Sequence, residues 1–195
     1  MRQDPIMARM IKELKYPKMD VPNPVYLELL RSIIYQQISI KAAESIYNRF
    51  LEKIDFQIDN PDKILNLEFA DLQSCGLSRQ KTNYIINIAQ FFKDENVQEE
   101  EIYKMTDEEI VKYFTQIKGV GKWTVEMLLI FTMFREDVFP EGDYAVQVAM
   151  KKNYKLKEEK SALLKKMRTI AEDWRPYRTL ASLYCWQWIK SERGG

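Results

Sequence analysis

The strongest constraint on this chain is a period. Apolar residues recur every three to four positions over nearly its whole length, and no segment alternates polar with apolar residues as a half-buried strand does. The helices this predicts are punctuated by local chemistry. Pro24 opens a segment running through Leu27, Leu30, Ile33 and Ile34. Ser39 and Ser78 are placed to accept hydrogen bonds from the first-turn N–H groups of helices over about 40–54 and 79–93. Asn60-Pro61 joins a capping residue to a proline at the first helical position. Thr106 and Glu109 have the spacing of a capping box. Further helices are expected over about 120–134, after Asp143, over 158–173 and over 177–190, the last two parted by Arg175-Pro176. The acidic run Glu99–Glu101 reads as one more helix start. About ten short helices and no repeat predict an all-α fold, arranged as two helical lobes with a cleft between them.

With 195 residues, 46% of them apolar, the chain is long enough for one large or two small domains. We expect a single functional domain over 1–195. A middle lobe would span about 24–115, a central segment 116–150, and a second lobe 1–23 with 151–195. Net charge is +1, but residues 151–195 carry 12 Lys or Arg against 5 Asp or Glu. A basic C-terminal third is compatible with an anionic partner and equally with a solvated helix face. There is no histidine, and the two cysteines, Cys75 and Cys185, lie far apart. That composition excludes a disulfide framework, a Cys/His zinc site, a four-cysteine iron–sulfur cluster and a Ser-His or Cys-His catalytic pair. Proton chemistry would fall to Asp, Glu, Lys or Tyr. No long apolar stretch and no signal pattern is present, so an intracellular, soluble protein without membrane contact is expected.

Two segments carry chemistry. The first is Ile117-Lys-Gly-Val-Gly-Lys-Trp-Thr124. It is not a Walker A loop, which would need glycine where Gln116 stands and Ser or Thr where Trp123 stands. It is not a dinucleotide fingerprint, which would need glycine at Thr124 and a preceding strand. A helix, a short turn and a second helix remain. Gly119 and Gly121 would let a phosphate approach the second helix's N-terminus, with Lys122 or Thr124 adding a contact. A tight corner between two helices would use the same glycines. The second segment is "REDVFPEGDYAVQVAM", where Pro140 and Gly142 force a turn and Asp143 begins a helix. Asp143 is a favoured helix cap, and the same cap would hold a carboxylate rigidly for chemistry. The residues alone leave both readings open at both places.

The ordered blocks resolve more. The hydrophobic-x-Gly-Val-Gly turn resembles the helix-hairpin-helix motif of DNA repair proteins, with Lys118 where a proline usually precedes the first glycine. Asp143 follows Trp123 by 20 residues in an F-P-x-x-D context, which resembles the helix-hairpin-helix-GPD superfamily of DNA glycosylases. "SIIYQQISIKAA" (32–43), "CGLSRQKTNYIINIA" (75–89) and "WRPYRTLASLYCW" (174–186) resemble further blocks of the AlkA-type DNA-3-methyladenine glycosylases in that superfamily. Together the matches cover most of the chain, from Ser32 to Trp188.

The resemblance implies a monofunctional DNA glycosylase that excises alkylated bases of the 3-methyladenine and 7-methylguanine class from duplex DNA. Asp143 would be the catalytic carboxylate. Trp123, Met127, Trp174 and Tyr35 would line the base pocket, and Gln37 would fill the gap that the extruded base leaves. Ser39, Gly119, Gly121, Lys122 and Thr124 would meet the DNA backbone. Main-chain carbonyls of Thr115, Ile117 and Val120 would hold a structural sodium or potassium ion, and no cofactor is expected for catalysis. Bifunctional relatives carry a lysine nucleophile at the second position after the second glycine. Here that position is Trp123, and Lys122 points about 100° away on the helix, toward phosphate or solvent. No lyase activity is expected. The partner would be double-stranded DNA with damaged bases, the protein a monomer, and its place cytoplasmic or nucleoid-associated if the source is prokaryotic. Another lesion (hypoxanthine, ethenoadenine, oxidised guanine) or a non-catalytic module for damaged DNA are the competing readings. Arg175 and Arg178 would either orient the surroundings of Asp143 or pair with an acid.

Overall fold

The computed structural model describes residues 4–19 and 21–193, so that 1–3, 20 and 194–195 of the expected second lobe lie outside the described residues. All regular structure among the described residues is helical. In chain order the helices are α1 (Pro5–Glu13), α2 (Val25–Tyr35), α3 (Ile40–Lys53), α4 (Pro61–Leu65), α5 (Phe69–Ser74) and α6 (Arg79–Asp94). They continue with α7 (Glu99–Lys104), α8 (Asp107–Phe114), α9 (Lys122–Phe131), α10 (Tyr144–Asn153), α11 (Lys160–Glu172) and α12 (Arg178–Arg193). No helix of the described residues is long and apolar enough to cross a membrane.

The caps read from the sequence form. Ser39 accepts from the Ala42 N–H, Asn60 from Asp62 and Ser78 from Lys81. Thr106 and Glu109 satisfy each other's backbone N–H groups as a complete capping box. Two helices were not anticipated, α1 and α5. The helix expected over about 120–134 is shorter at both ends. Val120 spends its N–H on the Ile117 carbonyl at 3.0 Å, so the turn persists to Gly121. At the far end Phe134 takes a left-handed φ of 52°, which stops the helix.

The chain divides into two compact units: the described residues of 22–128, and those of 1–21 together with 129–195. The division falls inside α9, three residues before its end. In the first of these units, α2 and α6 bury aliphatic faces that include Leu29, Leu30, Ile33, Ile85 and Ile88. Phe91, Phe92, Tyr113 and Phe114 pack beside them, with Phe92 and Phe114 stacked at 5.9 Å.

In the second unit, α1 packs with α12, and α10 with α12, around Met7, Met10, Met150, Met167, Trp174 and Cys185. Asp4 ties the N-terminal segment in. One carboxylate oxygen caps α1 by accepting from Ile6 and Met7. The other accepts from the Tyr154 hydroxyl at 2.5 Å and from Trp174 Nε1 at 3.0 Å. Both cysteines are buried free thiols. Burial pushes Cys185 up to about 12, so it stays protonated and behaves as a small core residue.

Candidate active site

Asp143 is the N-cap of α10, at the end of the Pro140–Gly142 turn. Its own N–H donates to the Pro140 carbonyl at 2.9 Å, which fixes the backbone. Its Oδ1 accepts from the Val146 N–H and from Trp186 Nε1, each at 2.9 Å. The residue is 9% exposed. The cap that starts α10 also points the carboxylate at an indole, and two donors hold it in one rotamer.

Trp186 comes from α12, eight positions past Arg178 and 43 past Asp143. Its ring lies 5.4 Å from that of Phe131 at the end of α9, the planes tilted by 30°. Phe131 is 38% exposed and Trp186 half-buried. Within one unit the carboxylate thus meets an indole that is itself paired with Phe131, and neither Trp186 nor Phe131 is among the pocket residues that the resemblance implies. The signal for Trp186 was present. It closes the Trp174–Trp186 block, in which the resemblance points to the first tryptophan.

Trp174 is the correction. Its side chain is fully buried, its ring edge-on to Phe139 at 5.7 Å, and its only polar atom is spent on Asp4. An indole so enclosed is a core residue and offers no face to a base. Arg175 and Arg178 pair with an acid, one of the two roles expected for them. Arg178 Nε reaches Asp137 Oδ1 at 2.7 Å, and Arg175 Nη1 reaches Asp137 Oδ2 at 2.5 Å. Burial alone would raise the Asp137 carboxyl, but the Arg178 guanidinium, with Arg175 behind it, holds it below the usual carboxylate range. Arg178 Nη2 also donates to the Asp137 carbonyl at 2.7 Å, so the pair pins the segment leading to the turn before Asp143.

The other candidates lie in the unit of residues 22–128. Gly119 has a φ of 111°, and a Cβ built on it would fall 2.3 Å from the Tyr84 ring. It is glycine for reasons internal to the chain. Gly121 differs, since a Cβ there meets nothing within 4 Å and its φ is ordinary. The turn is held by Asn87, whose Nδ2 donates to the Lys118 carbonyl at 3.0 Å. Beside it lies a hollow of about 570 Å³ lined by Arg79, Gln80, Asn83, Tyr84, Asn87 and Lys118, cationic and amide groups without an acid.

Lys122 is exposed and pairs with the nearly buried Glu126 at 3.1 Å. Trp123 is 44% exposed, and Met127, one turn on, is half-buried. Thr124 is buried, which corrects the expectation of a hydroxyl at a phosphate; at that position only the backbone remains to make such a contact. Tyr35 packs edge-on to Tyr47 at 6.1 Å with the Arg31 guanidinium 4.6 Å from its ring. Gln37 is exposed at the tip of the α2–α3 loop in a left-handed conformation, φ 56°. Ser39 spends its hydroxyl as the α3 cap at 3.3 Å. Among the described residues no cluster of three Cys, Asp or Glu side chains is placed to hold a metal ion.

A hairpin of helices joined by a Gly-Val-Gly turn, followed one helix later by a capped aspartate, defines a class of repair protein. The chain matches the HhH-GPD superfamily of base excision DNA repair proteins over residues 30–176, and it belongs to that superfamily. It is 35% identical over 169 residues to DNA-3-methyladenine glycosylase 1 of Schizosaccharomyces pombe, covering 85% of this chain and 72% of that protein. It is 30% identical to the putative DNA-3-methyladenine glycosylase YfjP of Bacillus subtilis, covering 85% of this chain and 59% of YfjP. Its structure superposes with a TM-score of 0.82 on the 3-methyladenine DNA glycosylase Mag1 of S. pombe in complex with abasic DNA. That match, at 32% identity, covers 96% of this chain and 92% of Mag1.

Proposed function

We propose that this protein is a monofunctional DNA glycosylase that removes alkylated bases, of the 3-methyladenine and 7-methylguanine class, from double-stranded DNA. The observation that carries the reading is the aspartate held at a helix start by a backbone N–H and an indole N–H. The names of the relatives, and the abasic DNA bound to one of them, support the substrate class.

Breaking the C1′–N bond builds positive charge on the sugar. A rigid carboxylate beside C1′ stabilises that charge and directs a water onto it. An alkylated purine already carries positive charge and leaves easily, so a site with no histidine suffices. Such a base must leave the stack before it is cut, and a cationic ring favours aromatic faces. Of the pocket residues that the resemblance implies, Trp123, Met127 and Tyr35 keep that role and the enclosed Trp174 does not; Phe131 and Trp186 offer aromatic surface beside Asp143 in its own unit. Trp123 occupies the position where a lyase would need its lysine, and Lys122 is engaged with Glu126, so water is the nucleophile and an abasic site the product.

Gly121, whose Cβ would point into open space, fits a surface that a DNA phosphate approaches closely, with Lys122 nearby. Gln37 would fill the vacated space in the duplex, with Ser39 near the backbone. Carbonyl oxygens suit a hard monovalent cation, and Thr115 closes α8 where its carbonyl has passed the last helical donor. Thr115, Ile117 and Val120 would hold a sodium or potassium ion that stiffens the hairpin without entering the chemistry. The setting would be intracellular, at the genome, with the protein acting as a monomer.

The test is a panel of duplexes carrying 3-methyladenine, 7-methylguanine, hypoxanthine, ethenoadenine or 8-oxoguanine, with released bases identified by mass. Release of methylated purines with intact strands is expected. Release of only another lesion, or strand cleavage without added base, would overturn the assignment.

A further inference from the structure

The loop between α2 and α3 is braced from outside by Lys81, a residue of α6 distinct from the proposed catalytic and DNA-contacting residues. Lys81 sits in the first turn of α6, at the positive end of that helix, where a cation is ordinarily disfavoured. Its ammonium is half-buried and donates to two carbonyls, Ile34 at 2.8 Å and Gln36 at 2.7 Å. Both belong to the C-terminal end of α2, whose last turn carries no basic residue of its own. The lysine thus satisfies two carbonyls left over where the helix stops and neutralises the negative end of its dipole. The next residue, Gln37, is exposed and left-handed, an uncommon state for a residue other than glycine. Two residues later the Ser39 cap fixes the start of α3. The loop is clamped on both sides of Gln37.

We propose that Lys81 is a positioning residue for base extrusion: by bridging the Ile34 and Gln36 carbonyls it holds the loop in the shape that presents Gln37 to the duplex. This rests on the glycosylase reading and on Gln37 as the residue that fills the gap. Without the ammonium, both carbonyls would turn to water and Gln37 would relax from its left-handed state. The loss would fall on opening the base pair and leave bond cleavage untouched.

Three variants test this: Lys81→Met, which keeps length and removes the donor; Lys81→Arg, which restores donors; and Gln37→Ala. Single-turnover release of 7-methylguanine is measured opposite cytosine and opposite an abasic analogue, where little pairing must be broken. A 2-aminopurine beside the lesion reports unstacking. Lys81→Met should slow release opposite cytosine by about tenfold, the scale of a lost charge-assisted hydrogen bond. It should slow release much less opposite the abasic analogue and blunt the fluorescence rise. Lys81→Arg should recover part of the loss, and adding Gln37→Ala to Lys81→Met should cost little more. Equal slowing on both substrates, or full additivity with Gln37→Ala, would make Lys81 a fold-stabilising residue and overturn the proposal. A wild-type protein that unstacks 2-aminopurine but releases no base would instead sink the glycosylase reading, and the fluorescence arm alone would then decide on Lys81.

Discussion

Trp186→Phe is the most informative single change, because it separates what the indole does as a ring from what it does as a donor. Phenylalanine keeps an aromatic face against Phe131, now 5.4 Å away. It deletes the 2.9 Å bond to Asp143 Oδ1 and keeps the Val146 N–H bond to that oxygen. A hydrogen bond to a charged partner contributes about 1.5–3 kcal/mol. Trp186 is only half-buried, so water can replace part of the lost bond, and the lower end applies. About 1.5 kcal/mol in the barrier is roughly a tenfold slower step. The assay is single-turnover release of 7-methylguanine from duplex DNA at saturating enzyme, with DNA affinity and the melting temperature measured on the same preparation. We expect the rate to fall about tenfold with affinity within about twofold and the fold intact. An unchanged rate would refute the claim that the indole holds the carboxylate for chemistry. A matching loss in melting temperature and rate would make it a packing contact.

The two hairpin glycines should part company. Gly119→Ala, with its left-handed φ and a Cβ overlapping Tyr84, should cost about 2 kcal/mol or more of stability in urea unfolding, while Gly121→Ala should melt like wild type and bind DNA more weakly. Lys122→Ala should lower the slope of log affinity against log salt by about one if the ammonium meets a phosphate; an unchanged slope would leave it only as the partner of Glu126. Asp4 makes acid stability testable. Burial alone would raise its carboxyl, but hydrogen bonds from Tyr154, Trp174, Met7 and Ile6 hold it below its ordinary value of 3.8. A depressed folded pKa gives stabilisation that is present above the unfolded value and lost as pH falls through the folded one. Asp4→Asn should therefore be less stable than wild type at neutral pH, with the gap closing below about pH 4.

The helices were legible because their punctuation is local. Ser39, Asn60, Ser78 and Thr106 each satisfy N–H groups two or three residues away, and such pairs are visible in a string of letters. The cap of α1 is equally local, Asp4 accepting from the Ile6 and Met7 N–H groups with Pro5 at the first position; what no pattern of letters shows is that its other oxygen meets Tyr154 and Trp174, 150 and 170 positions distant. Asp143 was legible for the same local reason as the other caps, sharpened by its place in an ordered set of blocks. The partner that completes its site was not, because a 43-residue separation carries no periodic signal. Trp174 and Trp186 look equivalent as letters; only packing says which is enclosed against Asp4 and which turns its N–H to Asp143. Thr124 fell the same way. Its position in the helix start suggested a hydroxyl at a phosphate, and burial withdrew it.

Asp143 is proposed to act on the glycosidic bond beyond capping α10. Asp143→Asn keeps an oxygen for the Val146 N–H and for the indole, and removes the charge. Release of methylated purines from alkylated duplex DNA, measured beside affinity for an abasic-site duplex, decides between the two roles. A folded variant that binds DNA as wild type does and releases no base above background is expected. Wild-type release by the variant, or loss of binding together with release, would contradict it.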